Sequence, residues 1–131
     1  MTHSAEIVLL THAGLGTAFL GVLRHIFGEL PPDVSALEAD PDDSDSLRTR
    51  LAQRMASARA EKRPLLILCD LPGASPANAI PKTLDPQWVE VIYGLNLPML
   101  LRALSRRQDW QDLGASVREG GRLAIDWQPF S

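Results

Sequence analysis

The stretch that decides the fold is Glu6-Ile7-Val8-Leu9-Leu10-Thr11-His12-Ala13-Gly14, an apolar run that passes into polar residues and glycine. An unbroken apolar run of this length is typical of a parallel strand buried on both faces. Ligands of open parallel sheets bind beyond the carboxyl ends of the strands. We therefore expect His12 to lie on the rim of a cleft.

Similar apolar runs recur along the chain and alternate with helical patterns. Strands are predicted over residues 7–11, 34–38, 65–69 and 89–93. Helices are predicted over 15–27, from 42 to an end between 59 and 63, from about 75 to 81, and after 96 and 109. This alternation predicts an α/β fold: an open three-layer sandwich around a mainly parallel central sheet of about four strands. A further strand-like run covers residues 122–127.

Composition narrows the class of protein. With 131 residues, of which 45% are hydrophobic, we expect one core and a single domain over residues 1–131. A net charge of -3 and the lack of a basic block argue against nucleic acid as a partner. The sequence shows no signal-peptide pattern and no apolar run near the roughly 20 residues that span a membrane, so we expect a cytoplasmic protein without membrane insertion.

The third predicted strand also ends in polar residues, in the segment Asp70-Leu71-Pro72-Gly73-Ala74-Ser75-Pro76-Ala77-Asn78. If the first and third strands are neighbours, Asp70 can approach His12 at one edge of the sheet. A carboxylate bound to one imidazole nitrogen leaves the other as a nucleophile or a general base. His12 and Asp70 are therefore the candidate catalytic pair, although Asp70 could instead cap a turn.

The segment after Asp70 favours phosphate as the ligand. Gly73, Ala74 and Ser75 are the candidate phosphate-binding residues, because a tight turn, a hydroxyl and an open helix start bind anions. Ser75 also suits a helix cap, and the two roles are compatible. A histidine nucleophile beside a phosphate site indicates a phosphohistidine. Since no Walker loop or cluster of metal-binding carboxylates is present, we expect no cofactor, no metal and a protein as phosphoryl donor.

Three segments together resemble the mannose-family (mannose/fructose/sorbose) IIA component of the bacterial phosphoenolpyruvate-dependent sugar phosphotransferase system. They are residues 11–15, 70–78 and the run Gly94-Leu95-Asn96-Leu97-Pro98-Met99-Leu100. The resemblance implies a IIA-type phosphotransferase domain in which His12 accepts phosphate from the carrier protein HPr and passes it to a IIB partner. It also implies that Asp70 orients the ring and that Ser75 lies near the phosphate. A homodimer, with the C-terminal strand crossing antiparallel to the partner's sheet, is implied as well.

The sequence departs from the family pattern at two positions. Ala13 and Ala74 stand where the family usually has glycine, and we expect each added methyl group to slow phosphotransfer. No IIB domain follows within the 131 residues, so we expect the IIB acceptor in trans, or a regulatory target in its place.

Other functions fit the same residues. One is a regulatory IIA-like protein, and another is the phosphotransfer subunit of dihydroxyacetone kinase, whose first domain belongs to the same family. A more distant alternative is a small nucleotide-binding module, suggested by Gly14-Leu15-Gly16 after the first strand. It matches poorly, because the third glycine of that fingerprint would fall at Phe19.

Overall fold

The computed structural model describes residues 4–129 and has a four-stranded parallel sheet between two layers of helices. The strands are β1 (Glu6–Thr11), β2 (Val34–Glu38), β3 (Leu65–Cys69) and β4 (Val89–Tyr93). The helices are α1 (Leu15–Phe27), α2 (Ser44–Ala60), α3 (Leu97–Ser105) and α4 (Trp110–Leu123). The predicted α/β class with a parallel central sheet is confirmed.

The order of the strands places the site. It is β2-β1-β3-β4, so the chain leaves β1 toward one side for β2 and returns to the other side for β3. Ligands of open α/β sheets bind where the strand order reverses in this way, beyond the carboxyl ends of the strands. In the register, Leu10 pairs with Cys69 and Thr11 pairs with Glu38. Asp70 therefore follows directly after the partner of Leu10, and His12 lies two residues beyond Leu10 on the adjacent strand.

Both faces of the sheet are covered, which explains the unbroken apolar runs. Alternate residues of β1 point to opposite faces, as strand geometry requires. Ile7 and Leu9 pack in a cluster with residues of α1, α3 and α4, whereas Val8 and Leu10 pack in a second cluster with residues of α2. Cys69 belongs to the second cluster and is fully buried, as expected for a small apolar residue.

The helix predicted near residues 75–81 is wrong: only a 3-10 turn forms there, over Ala77–Ala79. Pro81 is the physical reason, because proline disfavours helical backbone at the preceding residue. Ile80 accordingly has extended backbone, with ψ of 130°. Ser75 caps no helix, since the residue that precedes the turn is Pro76 and no side chain caps it.

The strand-like run over residues 122–127 forms no strand within this chain. α4 continues through Leu123, and the residues that follow, up to 129, have no regular structure. Leu123, Ile125 and Trp127 are 70%, 77% and 81% exposed. A strand needs a partner edge to satisfy its backbone groups, and this segment pairs with no strand in the described part of the chain. Exchange with a second chain is a separate expectation, which one chain does not test.

Candidate functional site

His12 and Asp70 meet at the carboxyl edge of the sheet, between β1 and β3. The Nδ1 atom of His12 lies 2.8 Å from Oδ2 of Asp70, and the same oxygen accepts the backbone N–H of His12 at 2.9 Å. The imidazole is 51% exposed, whereas the carboxylate is only 8% exposed. Asp70 thus binds both the ring and the backbone N–H of His12, and leaves the rest of the ring accessible.

The charge state of Asp70 follows from its surroundings. Burial by itself raises the pKa of this carboxyl, but the N–H groups of His12 and Leu71 and the ring of His12 hydrogen-bond to the ionised form. Together they outweigh burial and lower the pKa below its ordinary value of 3.8. Asp70 is therefore an anion at neutral pH and accepts a hydrogen bond from the Nδ1 proton, so that in the neutral ring the free lone pair lies on Nε2.

The turn that carries His12 is fixed from inside by Thr11. The Thr11 side chain is fully buried, and its hydroxyl donates to the carbonyl of His12 at 2.8 Å. The same hydroxyl oxygen accepts the N–H of Gly16 at 2.9 Å. One small polar side chain therefore links the last residue of β1 to the first turn of α1, with His12 between them.

Glu38 closes the N-terminus of α1. This carboxylate, at the end of β2, accepts the N–H of Thr17 at 2.6 Å and also that of Gly14. Burial alone raises the pKa of Glu38, but these hydrogen bonds outweigh it and lower the pKa below 4.5. A helix N-terminus attracts anions, and here a side chain of the protein already supplies one.

The filled helix start argues against the nucleotide-binding alternative. A phosphate bound after β1 would have to displace the carboxylate of Glu38 and would lose the amides of Gly16 and Thr17, which Thr11 and Glu38 occupy. Gly16 also serves packing, because a Cβ atom there would lie 2.9 Å from Cβ of Ala36 on β2. The glycines after β1 therefore support close contact between helix and strand.

The loop after β3 differs from the segment after β1, because the backbone amides of residues 73–75 are not occupied by side chains of the described residues. Gly73 adopts a φ of +75°, which glycine tolerates far better than other residues. None of the hydrogen bonds found within residues 4–129 uses the N–H of Gly73, Ala74 or Ser75. Backbone amides of such a turn are suited to an anion. Because the expected helix is a 3-10 turn, the amides rather than a helix dipole would supply the attraction.

His12 and Ser75 line one cavity of about 190 Å³, together with residues of the segment after β2. A water molecule takes about 30 Å³ of liquid volume, so a phosphoryl group fits in this space. The Ser75 hydroxyl makes none of the hydrogen bonds found within the described residues. Gly73 and Ala74 lie on the same loop but do not line this cavity. Of the predicted site residues, the structure thus brings His12 together with Asp70 and with Ser75.

The two alanines at family glycine positions cause no backbone strain. Among the described residues, the only non-glycine positions with positive φ are Asp33 and Lys62. In the two loops that carry the alanines, the left-handed conformations fall on Gly14 and Gly73, each next to one of the alanines. Ala13 and Ala74 therefore need no left-handed backbone, and only the volume of their methyl groups can affect the site.

The remaining candidates have structural roles. Asn96 caps α3, since its side-chain oxygen accepts the N–H of Met99 at 2.9 Å, and Met99 is buried. Asp43 caps α2 by accepting the N–H of Ser46 at 3.1 Å. Burial chiefly raises the pKa of the Cys69 thiol. Within residues 4–129, no three His, Cys, Asp or Glu side chains are grouped to hold a metal ion, and no helix is both long and apolar enough to cross a membrane.

Sequence reasoning missed Thr11 and Glu38 as residues that position the site. A signal was present, because both are the polar last residues of otherwise buried strands. The argument that brought Asp70 to His12 applies equally to the end of β2, since Thr11 and Glu38 are register partners. What the pattern could not show is that the Glu38 side chain turns toward the helix start rather than toward a ligand.

Comparison with known proteins agrees with this geometry. The family model for the fructose IIA component of the phosphotransferase system matches residues 6–119. A mannose/sorbose-specific IIA subunit of the phosphotransferase system from Enterococcus faecalis is 25% identical, with a TM-score of 0.78 over 98% of each chain. Comparison with curated protein sequences gave no match.

Two further solved structures share the fold at lower identity. The phosphotransferase system component EIIA from Streptococcus agalactiae is 22% identical, with a TM-score of 0.77 over 93% of this chain and 95% of that one. The IIA protein associated with the fucose utilization operon from Streptococcus pneumoniae is 18% identical, with a TM-score of 0.79 over 95% and 94%. The chain therefore belongs to the fructose/mannose-type IIA family of the phosphotransferase system, a family of phosphotransfer proteins.

Proposed function

We propose that this chain, as one IIA-type domain over residues 1–131, is a histidine phosphocarrier. It accepts a phosphoryl group from phospho-HPr on His12 and passes it to a IIB protein supplied in trans. The observation that carries the proposal is the double contact of Asp70 Oδ2 with the ring and the N–H of an exposed histidine. A purely structural histidine would not need an exposed ring held in one tautomer by a buried carboxylate.

The transfer step follows from the tautomer. The Nε2 lone pair of His12 attacks the phosphorus of the donor's phosphohistidine, in line with the P–N bond that breaks. A new Nε2–P bond forms, and the electron pair of the broken bond returns to the donor's imidazole, which leaves as a neutral ring because its other nitrogen carries a proton. No proton has to move, because the Nδ1 proton of His12 stays on its hydrogen bond to Asp70. The ring that carries the phosphoryl group is then cationic, and the Asp70 carboxylate balances its charge.

The oxygens of the phosphoryl group need donors on the other side of the ring. Ser75 lies in the same cavity as His12, and the amides of Gly73 and Ala74 precede it on the loop. Prepositioned amides stabilise negative charge without having to reorganise. We propose that these three residues hold the phosphoryl group during transfer, and that the acceptor's nucleophile later takes the phosphorus by the reverse of the first step.

The test is to mix the protein with phosphoenolpyruvate, enzyme I and HPr and to measure phosphate bound to it. We expect an acid-labile, base-stable phosphate that His12→Gln abolishes. His25→Gln is the matched control, because His25 is an exposed histidine on α1 outside the site. The His25→Gln variant should be phosphorylated as fast as wild type. The proposal is contradicted if the wild type gains no phosphate, or if the His12→Gln variant is still phosphorylated.

We further propose that the chain is a homodimer in which the segment after α4 pairs with the partner's sheet. β4 is an edge strand, and the apolar side chains of Leu123, Ile125 and Trp127 are exposed in the single chain. A large exposed apolar surface of this kind marks an interface. Light scattering should give the mass of two chains, and Trp127→Asp with Ile125→Asp should give the mass of one. A monomeric wild type would contradict this part.

A further inference from the structure

Asp40 lies outside the pair formed by His12 and Asp70, yet it lines the same cavity as His12 and Ser75. Of the residues that line this cavity, His12 and Asp40 are both exposed. A phosphoryl group on His12 would therefore have a carboxylate-bearing residue on the wall beside it. This differs from Asp70, whose contact is with the opposite nitrogen of the ring.

Asp40 is held at this wall by a tight turn. Its carbonyl accepts the N–H of Asp43 at 3.1 Å, and its Oδ1 accepts the N–H of Asp42 at 2.9 Å. Asp43 in turn caps α2 through Ser46. The turn thus ties Asp40 to the start of a 17-residue helix, so that its position relative to the cavity is fixed.

The charge of Asp40 is not neutralised within the part of the chain that the structure describes. None of the ion pairs found in residues 4–129 includes it. Two arginines of α2 are directed elsewhere: Arg48 donates to the carbonyl of Asn78 at 3.2 Å, and Arg50 donates to the carbonyl of Glu38 at 2.9 Å. The wall of the cavity that Asp40 forms is therefore negative.

We propose that Asp40 sets how readily the phosphoryl group leaves His12. The inference rests on the proposed function and deepens it. Asp70 stabilises the positive ring of the phosphohistidine, whereas Asp40 repels the negative phosphoryl oxygens and so raises the tendency of the group to move to an acceptor. His12 and Asp40 line one cavity of about 190 Å³, and charges on the walls of so small a space interact with little screening at moderate salt, where the Debye length is about 8–10 Å.

The experiment measures the equilibrium between the protein and HPr. Phospho-HPr is mixed with wild type or with Asp40→Asn after enzyme I has been removed, and the two phosphorylated proteins are quantified. Asparagine keeps the shape and the acceptor for the N–H of Asp42 but removes the charge. We expect Asp40→Asn to raise the ratio of phosphorylated to free protein about threefold to tenfold at low salt, and less at high salt.

Asp42→Asn is the matched control, because it removes one charge from the same acidic segment at a residue that does not line the cavity. It should change the ratio less than about twofold. Asp40→Ser, which can still accept at the turn, should shift the ratio in the same direction as Asp40→Asn.

The outcomes separate the two proposals. If wild type takes no phosphate from phospho-HPr, the proposed function itself fails. If wild type is phosphorylated but Asp40→Asn leaves the ratio unchanged, or if Asp42→Asn shifts it equally, the assignment to Asp40 is overturned while the phosphocarrier function stands.

Discussion

Two glycine-bearing segments follow neighbouring strands of the sheet, and they differ in what their backbone amides bind. After β1, the amides of Gly16 and Thr17 are occupied by the side chains of Thr11 and Glu38. After β3, the amides of residues 73–75 donate to no acceptor found within the described residues. The first segment thus presents a nucleophile on a rigid support, and the second is left open for an anion. Similar sequence patterns therefore serve opposite purposes.

Among the predictions, loss of the contact between His12 and Asp70, which joins the two segments, should have the largest effect on the rate of phosphorylation. In Asp70→Asn, the amide cannot accept the Nδ1 proton and the N–H of His12 with the same charged oxygen, so the ring loses its tautomer and its counter-charge. We expect the rate of phosphorylation to fall by about 100-fold or more, as for the loss of a positioned acid–base partner. The measurement is the rate of phosphate transfer from phospho-HPr.

Asp112→Asn, an exposed position on α4, is the control for Asp70→Asn and should leave the rate unchanged. Circular dichroism should show that both variants are folded. If Asp70→Asn is phosphorylated within about threefold of the wild-type rate, the two segments do not cooperate as proposed.

The rigidity of the first segment is tested by Gly16→Ala against Gly21→Ala. A Cβ atom at Gly16 would lie 2.9 Å from Ala36 Cβ and 3.1 Å from Thr11 Oγ1, whereas at Gly21 it would meet nothing within 4 Å. We expect Gly16→Ala to lower the free energy of unfolding by about 1–3 kcal/mol through overpacking. Gly21→Ala, on the exposed side of the same helix, should raise it by about 0.5–1 kcal/mol. Urea denaturation measures both, and equal effects would contradict the close packing at Gly16.

Glu38→Gln tests the carboxylate at the start of α1. Because the pKa of Glu38 is lowered in the folded state, its charge stabilises the fold above the ordinary value of 4.5, and this contribution is lost as the pH falls through the lowered value. We expect Glu38→Gln to lower the free energy of unfolding by about 0.5–1 kcal/mol at pH 7. The difference from wild type should shrink in urea titrations at pH 3.5.

Glu119→Gln, at an exposed position on α4, is the control for Glu38→Gln and should change the free energy of unfolding at pH 7 by less than about 0.5 kcal/mol. A Glu38→Gln deficit that is the same at pH 7 and pH 3.5 would show that shape, and not charge, is what Glu38 contributes.

Ala74→Gly is expected to have the smallest effect. Ala74 needs no left-handed backbone, so glycine relieves no strain there, and the added freedom of the unfolded chain should lower the free energy of unfolding by about 0.5 kcal/mol. The rate of phosphorylation should change less than about twofold, since the change amounts to one methyl group on an open loop. An increase of tenfold would instead mean that this methyl group obstructs the phosphoryl group.

The sequence was most informative where structure is local. The strands and α1 lie where the apolar runs and the glycine at position 28 placed them, because burial on two faces or on one helix face leaves its period in the sequence. The helix predicted from about residue 75 to Pro81 forms only a 3-10 turn, because the favourable start at Ser75-Pro76 and the stop at Pro81 are only a few residues apart. A single turn cannot repay the cost of helix nucleation before such a stop.

The sequence by itself determined that two polar strand ends, His12 and Asp70, stand at one edge of a parallel sheet. Buried strands can be recognised from their apolar runs, and parallel strands end on the same side of the sheet. Only the tertiary structure decided which of the two glycine segments stays open to an anion. That choice depends on side chains that reach across 21 residues of sequence, from Glu38 to Thr17, and on the strand register that puts Glu38 beside Thr11. Such contacts leave no periodic trace, since they arise from distances and directions that exist only once the strands have paired.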